Sequence, residues 1–275
     1  MNRVLRIAGA MLLLACWTGS VNASRVTAQP PPPGGTEIAH AIAAYTPAEA
    51  SPNHMMRPLN DTNTILYEQS FGGGGVGLGV LLGPLGVAAN IAAIKGRTEK
   101  EAALLHDKVG IDPQELLKQA LAGSELKVAN ASEPQAATIK PALDVVSMGD
   151  HDLRFAITLR VDRHPAGKEW AGSYLWLLRT TSTREAVAAG LSDSDRQALE
   201  QEAASAFKEL VAIYVQDAKG ALPNGAQVRF HSSFLAPRFK LTYNGVTVAG
   251  PEGRLTARLP NMVVSLPEDA IQRDK

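Results

Sequence analysis

The chain has 275 residues, which suits one large domain or two small ones. Its 27 Lys and Arg balance its 27 Asp and Glu, so no basic excess points to a nucleic-acid partner and no acidic excess to a solvated tail. Aromatics make up only 5% of it, too few for a base-stacking or sugar-binding platform, and its single cysteine precludes an internal disulfide.

Residues 1–23 read as a secretory signal peptide. Arg3 and Arg6 supply positive charge, residues 7–14 are an apolar run, and small residues lead to Val21, Asn22 and Ala23. Cleavage after Ala23 is one exit, and Val26, Thr27 and Ala28 form another. The cysteine gives a further alternative. Leu13, Leu14, Ala15 and Cys16 resemble a bacterial lipobox, in which Cys16 would be lipidated and become the new N-terminus after loss of residues 1–15. Two acyl chains anchor a protein stably where one barely does. Either exit implies an exported protein, in the periplasm or at the periplasmic face of the outer membrane.

Residues 24–63 read as a linker. The stretch 29–35 is proline then glycine, a stiff spacer followed by a flexible one. A short helical patch follows, then irregular chain and a turn over 60–63. Residues 64–70 are a candidate strand.

From 69 to 94 there is no charged residue, and Gly72 to Gly75 are consecutive glycines. Gly75, Gly79 and Gly83 recur every fourth residue and would line one face of a helix. Small residues at that spacing let a second helix approach closely. In water such a helix is weak, since each glycine costs about 1 kcal/mol against alanine, and Pro84 would kink it. Residues 76–94 approach the roughly 20 needed to cross a bilayer, with Lys95 and Arg97 as anchors. The stretch resembles the glycine-zipper segments of some bacterial envelope proteins. It reads as a membrane-associated helix, a buried glycine-rich element or a loop.

Two short helices follow. Thr98 and Glu101 have the spacing of a capping box for 98–107. Asp112 and Pro113 open a second helix that Gly123 closes. Residues 127–141 read as connecting chain with a short strand near Leu126, Lys127 and Val128. Residues 138–268 then form an α+β domain. Leu153, Phe155, Ile157, Leu159 and Val161 alternate with polar residues, and 169–179 carries Trp170, Tyr174 and Trp176 on one face; a hairpin is the simplest pairing. Ser192 caps a long helix over 192–219 whose apolar stripe suits one face of a mostly antiparallel sheet. Short strands follow, with turns at Asn244 and Gly245 and at 250–253. Residues 269–275 read as a charged, frayed tail.

No motif supplies chemistry. Gly72, Gly74 and Gly77 match the letters of a dinucleotide fingerprint, but no second strand carries the acidic partner it needs. Asp150, His151 and Asp152 are the densest ionisable group, yet neighbours on extended chain point to opposite sides. His40, His54, His106, His164 and His231 lack metal-ligand spacing. Ser173 is not in a nucleophile elbow, Glu200, Glu202 and Glu209 suit a solvated helix face, and Trp170 and Trp176 suit sheet packing. These features imply no cofactor, no metal and no assigned catalytic residue. They favour a non-enzymatic cell-envelope protein that binds or scaffolds at the periplasmic face of a membrane, with the membrane and an envelope protein as partners. A periplasmic hydrolase using His151 or His231, and a membrane-inserting glycine-zipper-like protein, are the alternatives.

Overall fold

The computed structural model describes residues 29–32, 34–53, 55–69, 75–129, 137–163, 169–236 and 241–273, with side chains in the 75–88 stretch left aside. The signal segment with Cys16, the glycines at 72–74, His54 and His164 lie outside these residues.

Alternation along the chain produces the central hairpin. Strand β6 (Asp152–Arg163) buries Leu153, Phe155, Ile157, Leu159 and Val161, and pairs antiparallel with β7 (Trp170–Thr183), placing Ile157 opposite Trp176 and Leu159 opposite Tyr174. Helix α5 (Asp193–Ala218) lies on this apolar face. Ser192 caps it through Asp195 N, Asp193 and Asp195 stabilise its positive first turn, and Leu199, Ala203, Phe207, Leu210 and Tyr214 are buried in the main core. Gly220, at φ 69°, takes the left-handed conformation just past its end. Helix α3 (Pro113–Ala122) packs beside it; Asp112 accepts from Gln114 N and Glu115 N, and Leu116, Leu117, Ala120 and Leu121 are buried. Each large side chain buried here stabilises the fold by roughly 1.5–3 kcal/mol relative to exposure.

The fold is mixed α and β around a large mixed sheet. In chain order the remaining elements are β1 (Ala39–Ile42), α1 (Pro47–Ala50), β2 (Met56–Pro58), β3 (Ile65–Gln69), α2 (Gly75–Leu105), β4 (Lys127–Val128), β5 (Ala137–Ser147) and α4 (Arg184–Ala189). After α5 come β8 (Gln227–Ser232), β9 (Tyr243–Thr247), β10 (Arg254–Arg258), β11 (Val263–Pro267) and β12 (Ile271–Arg273). The strand path runs β12-β8-β9-β10-β11-β7-β6-β5-β1-β4, with β3 also on β5 and β2 on β3. Among the described residues β1–β4, β1–β5, β3–β5 and β7–β11 are parallel and the other pairings antiparallel.

Strand β5 begins inside the stretch expected to be connecting chain. Pro141 makes it look unlike a strand, and pairing explains why it is tolerated. Ile139 O accepts from Ala43 N and Leu143 N donates to Thr64 O, so the odd residues of β5 address the edge shared by β1 and β3. Pro141 falls at the break between those two strands, where its missing N–H costs no ladder bond.

Other expectations are corrected too. Thr98 caps nothing: α2 is continuous from Gly75 to Leu105, and the Thr98 hydroxyl donates to Gln69 Oε1 at 2.8 Å, with Ile94 O equally near. The helix is unbroken at Pro84. Asn244 and Gly245 lie inside β9 rather than in a turn; a Cβ at Gly245 would sit 2.6 Å from Arg258 O, so the close strand approach requires glycine. The expected tail instead adds β12, which pairs with β8. The expected linker is also part of the body: it supplies β1, α1 and β2, Trp170 Nε1 donates to Gln29 O, and Arg163 donates to Pro32 O.

Candidate functional site

The sheet face opposite α5 holds the candidate site. Period two along β5 and β6 puts Lys140, Ala142 and Asp144 beside Thr158, Arg160 and Asp162. Leu66 of β3 pairs with Asp144, and Ser173 of β7 pairs with Arg160. Residues 45–53 and 55–56 border this face. There Thr46 and Glu49 form a capping box at α1, and Tyr45, Ala50, Leu66 and Ala142 make a small apolar cluster. Between them lies a cleft of about 450 Å³, with Tyr45, Glu68, Asp144, Thr158, Arg160 and Ser173 among its lining.

The charges in the cleft divide into two groups. Lys140 Nζ lies 2.6 Å from Glu49 and 3.0 Å from Asp162, and Arg160 Nε lies 2.9 Å from Asp162. Burial acts to raise the Glu49 carboxyl, but bonds from Lys140 and Thr46 outweigh it and hold it down at about 2. Among the described residues no cation forms an ion pair with Asp144 or Glu68. Thr158 donates to Asp144 at 2.5 Å. Burial nevertheless pushes Asp144 up to about 7, with the Glu68 charge adding to the rise. Burial raises Glu68 as well. Tyr45 is only 8% exposed, and burial raises its hydroxyl pKa well above the ordinary value.

A second polar group is wholly interior. Arg258 donates to both carboxylate oxygens of Asp217, at 2.7 and 3.0 Å, and Tyr174 donates to Asp217 at 2.9 Å. Tyr174 meets Tyr214 edge-on, and Tyr214 OH lies 2.9 Å from His40 Nε2. Burial lowers His40 to about 4, so it is neutral at pH 7. These groups join α5 to β1, β7 and β10. Buried and linked in this way, they act as a structural tie.

Residues singled out in the sequence do not converge. His151 is exposed with Glu185 at 2.9 Å, and His231 on β8 lies 2.8 Å from Leu241 O. Burial plays little part at His151; the Glu185 carboxylate raises its pKa. His106 is half-exposed beside Asp61 and Asp107. Among the described residues no His, Cys, Asp and Glu grouping suits a metal ion. Glu202 accepts from Arg179 N and Thr180 N, binding α5 to β7, while Glu200 is exposed. The Arg254 guanidinium lies over Trp176, 3.9 Å from the indole ring centre. Ser173 alone reaches the cleft. Sequence reading missed Asp144, Glu68 and Tyr45; their one signal was Asp144, a lone acid in the apolar run 142–146.

Gly75, Gly79 and Gly83 all fall on α2, with their surroundings outside the described side chains. The described part of α2 has two characters. Thr98, Ala102 and Leu105 are buried, and Arg184 binds Glu101 at 2.7 Å. Ala89, Ile91, Ala92 and Ala93 are exposed. Among the described residues no helix is long and apolar enough to cross a membrane.

Comparison of the chain with protein-family models, curated proteins and solved structures finds no match.

Proposed function

We propose that the protein is an exported bacterial cell-envelope protein that acts by binding, at the periplasmic face of a membrane. The α2 segment, lipid on Cys16, or both hold it there. Its α+β body, a long helix across one face of a mostly antiparallel sheet, presents the cleft to an envelope partner. The observation that carries this reading is the division of α2. Its C-terminal half is fastened to the body by Thr98, Glu101, Ala102 and Leu105, whereas Ala89, Ile91, Ala92 and Ala93 stand exposed. An exposed apolar turn continuous with a glycine-rich apolar helix suits a lipid surface or another helix.

The full chain, expressed in a bacterium with its own export segment, tests this by fractionation, intact mass and flotation on phospholipid vesicles. Membrane association that Ile91→Lys weakens supports attachment through α2. A diacyl mass shift abolished by Cys16→Ala supports the lipid anchor. Protein wholly soluble, bound to no vesicle and carrying an N-terminus at Ser24, overturns the membrane reading.

A hydrolase is the second reading. It is favoured by two carboxyls of raised pKa in one cleft, the pattern of acid–base pairs. It would use Asp144 and Glu68; the histidines considered from sequence lie apart from the cleft.

A further inference from the structure

Arg163 ends β6 on the side of the sheet that α5 covers, and it is only 3% exposed. Its Nη1 donates to Pro32 O at 2.6 Å, while its Nε is buried without a hydrogen-bond partner. Among the described residues no carboxylate forms an ion pair with it. Asp217, the buried acid of α5, is already held by Arg258 and by Tyr174. A guanidinium keeps its charge inside a protein. Uncompensated burial of that charge is strongly unfavourable, and one carbonyl offsets only part of it. A second donor without a partner stands two strands away. His40 is fully buried, its Nε2 lies 2.9 Å from Tyr214 OH, and its Nδ1 has no partner among the described residues. The sheet register sets these two residues in one row. His40 pairs with Ala137 of β5, and the β5–β6 ladder, continued one residue beyond Thr138 and Asp162, puts Ala137 beside Arg163. Side chains in one row share a face, so His40 and Arg163 flank a methyl group, with their Cα atoms about 10 Å apart. Tyr214 of α5 meets His40 at one end of the row. At the other, a Cβ on Gly35 would sit 2.9 Å from Arg163 Nη1 and 2.6 Å from Ala218 Cβ, so the backbone there packs directly against the guanidinium.

We propose that one small monovalent anion binds over Ala137, between Arg163 and His40, with Arg163 Nε–H and His40 Nδ1–H as its donors. Tyr214 then donates to Nε2 of His40, which places the proton of the neutral imidazole on Nδ1. The charges match: Arg163 brings a single positive charge, and His40, kept neutral by burial, brings none. A divalent anion would leave a negative charge buried, and a neutral ligand would leave the guanidinium uncompensated. The space is what an alanine leaves between two long side chains, which suits a halide or formate and excludes a larger acid.

This site is independent of the cleft and of membrane attachment, and so is its test. The full mature chain is gel-filtered into sodium gluconate, whose anion is too bulky for the row. Sodium formate and sodium bromide are the probes, added at constant ionic strength, with thermal unfolding as the readout. Anion released on denaturing the gel-filtered protein is counted by ion chromatography. The expected result is one small anion per chain, either carried through gel filtration or taken up with a saturable rise in Tm. Crystals soaked in bromide should show anomalous density between Arg163 and His40. Arg163→Gln should weaken the affinity roughly hundredfold or more, and His40→Phe about tenfold. Ala137→Val keeps both donors and fills the row, so it should abolish uptake, and it serves if Arg163→Gln does not fold. Absence of both a retained anion and a saturable effect of formate or bromide would show that water alone meets Arg163, and it overturns the inference. Uptake unchanged in Arg163→Gln or in Ala137→Val overturns it as well.

Discussion

Replacing Asp144 by Asn keeps the shape of the side chain and its ability to accept from Thr158, while removing its ionisation. In the folded protein burial raises this carboxyl from 3.8 to about 7, so the native state holds its proton more tightly than the unfolded chain. For an acid shifted upward, the ionised form is penalised in the fold. Stability therefore declines as pH rises from about 4 and the penalty is complete above about pH 7. A rise of about three pH units corresponds to roughly 4 kcal/mol, and solvent entering the open side of the cleft trims that to about 2–4 kcal/mol. Asp144→Asn should match wild type in urea unfolding at pH 4 and exceed it by that amount at pH 8. In thermal melts at pH 8 this is a gain of roughly 5–15 °C. A difference that stays constant with pH, or a variant less stable than wild type at pH 8, would refute the account of Asp144 as a carboxyl whose charge goes uncompensated.

His40 predicts an opposite slope over nearly the same window. Its folded pKa of about 4 lies below the ordinary 6.5, so stability is intact above pH 6.5 and falls as pH drops toward 4, by roughly 3 kcal/mol. In an Asp144→Asn background, which removes the opposing slope, His40→Gln should flatten this decline in pH-dependent urea melts. Arg258→Ala should cost about 3–5 kcal/mol, because it leaves the Asp217 carboxylate buried and unpaired. Tyr174→Phe should cost only about 1 kcal/mol in the same urea titration, since both Arg258 bonds remain. Gly245→Ala should destabilise by about 1–3 kcal/mol, because its Cβ would lie 2.6 Å from a backbone oxygen that cannot swing aside; equal stability in the same melts would show that the strands separate freely.

Local pattern alone determined the hairpin of β6 and β7, the helices α3 and α5 and their caps. Alternation, helical spacing and a capping Asp or Ser act over a few residues, and the apolar faces they define have only one way to be buried. The glycine spacing of α2 was legible for the same reason. Tertiary structure decided everything that depends on edges and distant pairing. Pro141 is acceptable in β5 only because β1 and β3 leave a gap opposite it. Residues 271–273 form a strand only because β8 offers an unpaired edge. Thr98 starts no helix, because α2 runs through it and its hydroxyl is taken up by Gln69. The cleft is the extreme case. Glu68 and Asp144 are 76 positions apart, and no local rule marks either. They meet because β3 pairs parallel to β5 and lays Leu66 beside Asp144, and their charges go unmatched because Lys140 and Arg160 are already held elsewhere. Uncompensated charge is a property of a neighbourhood, and only the folded chain brings that neighbourhood together.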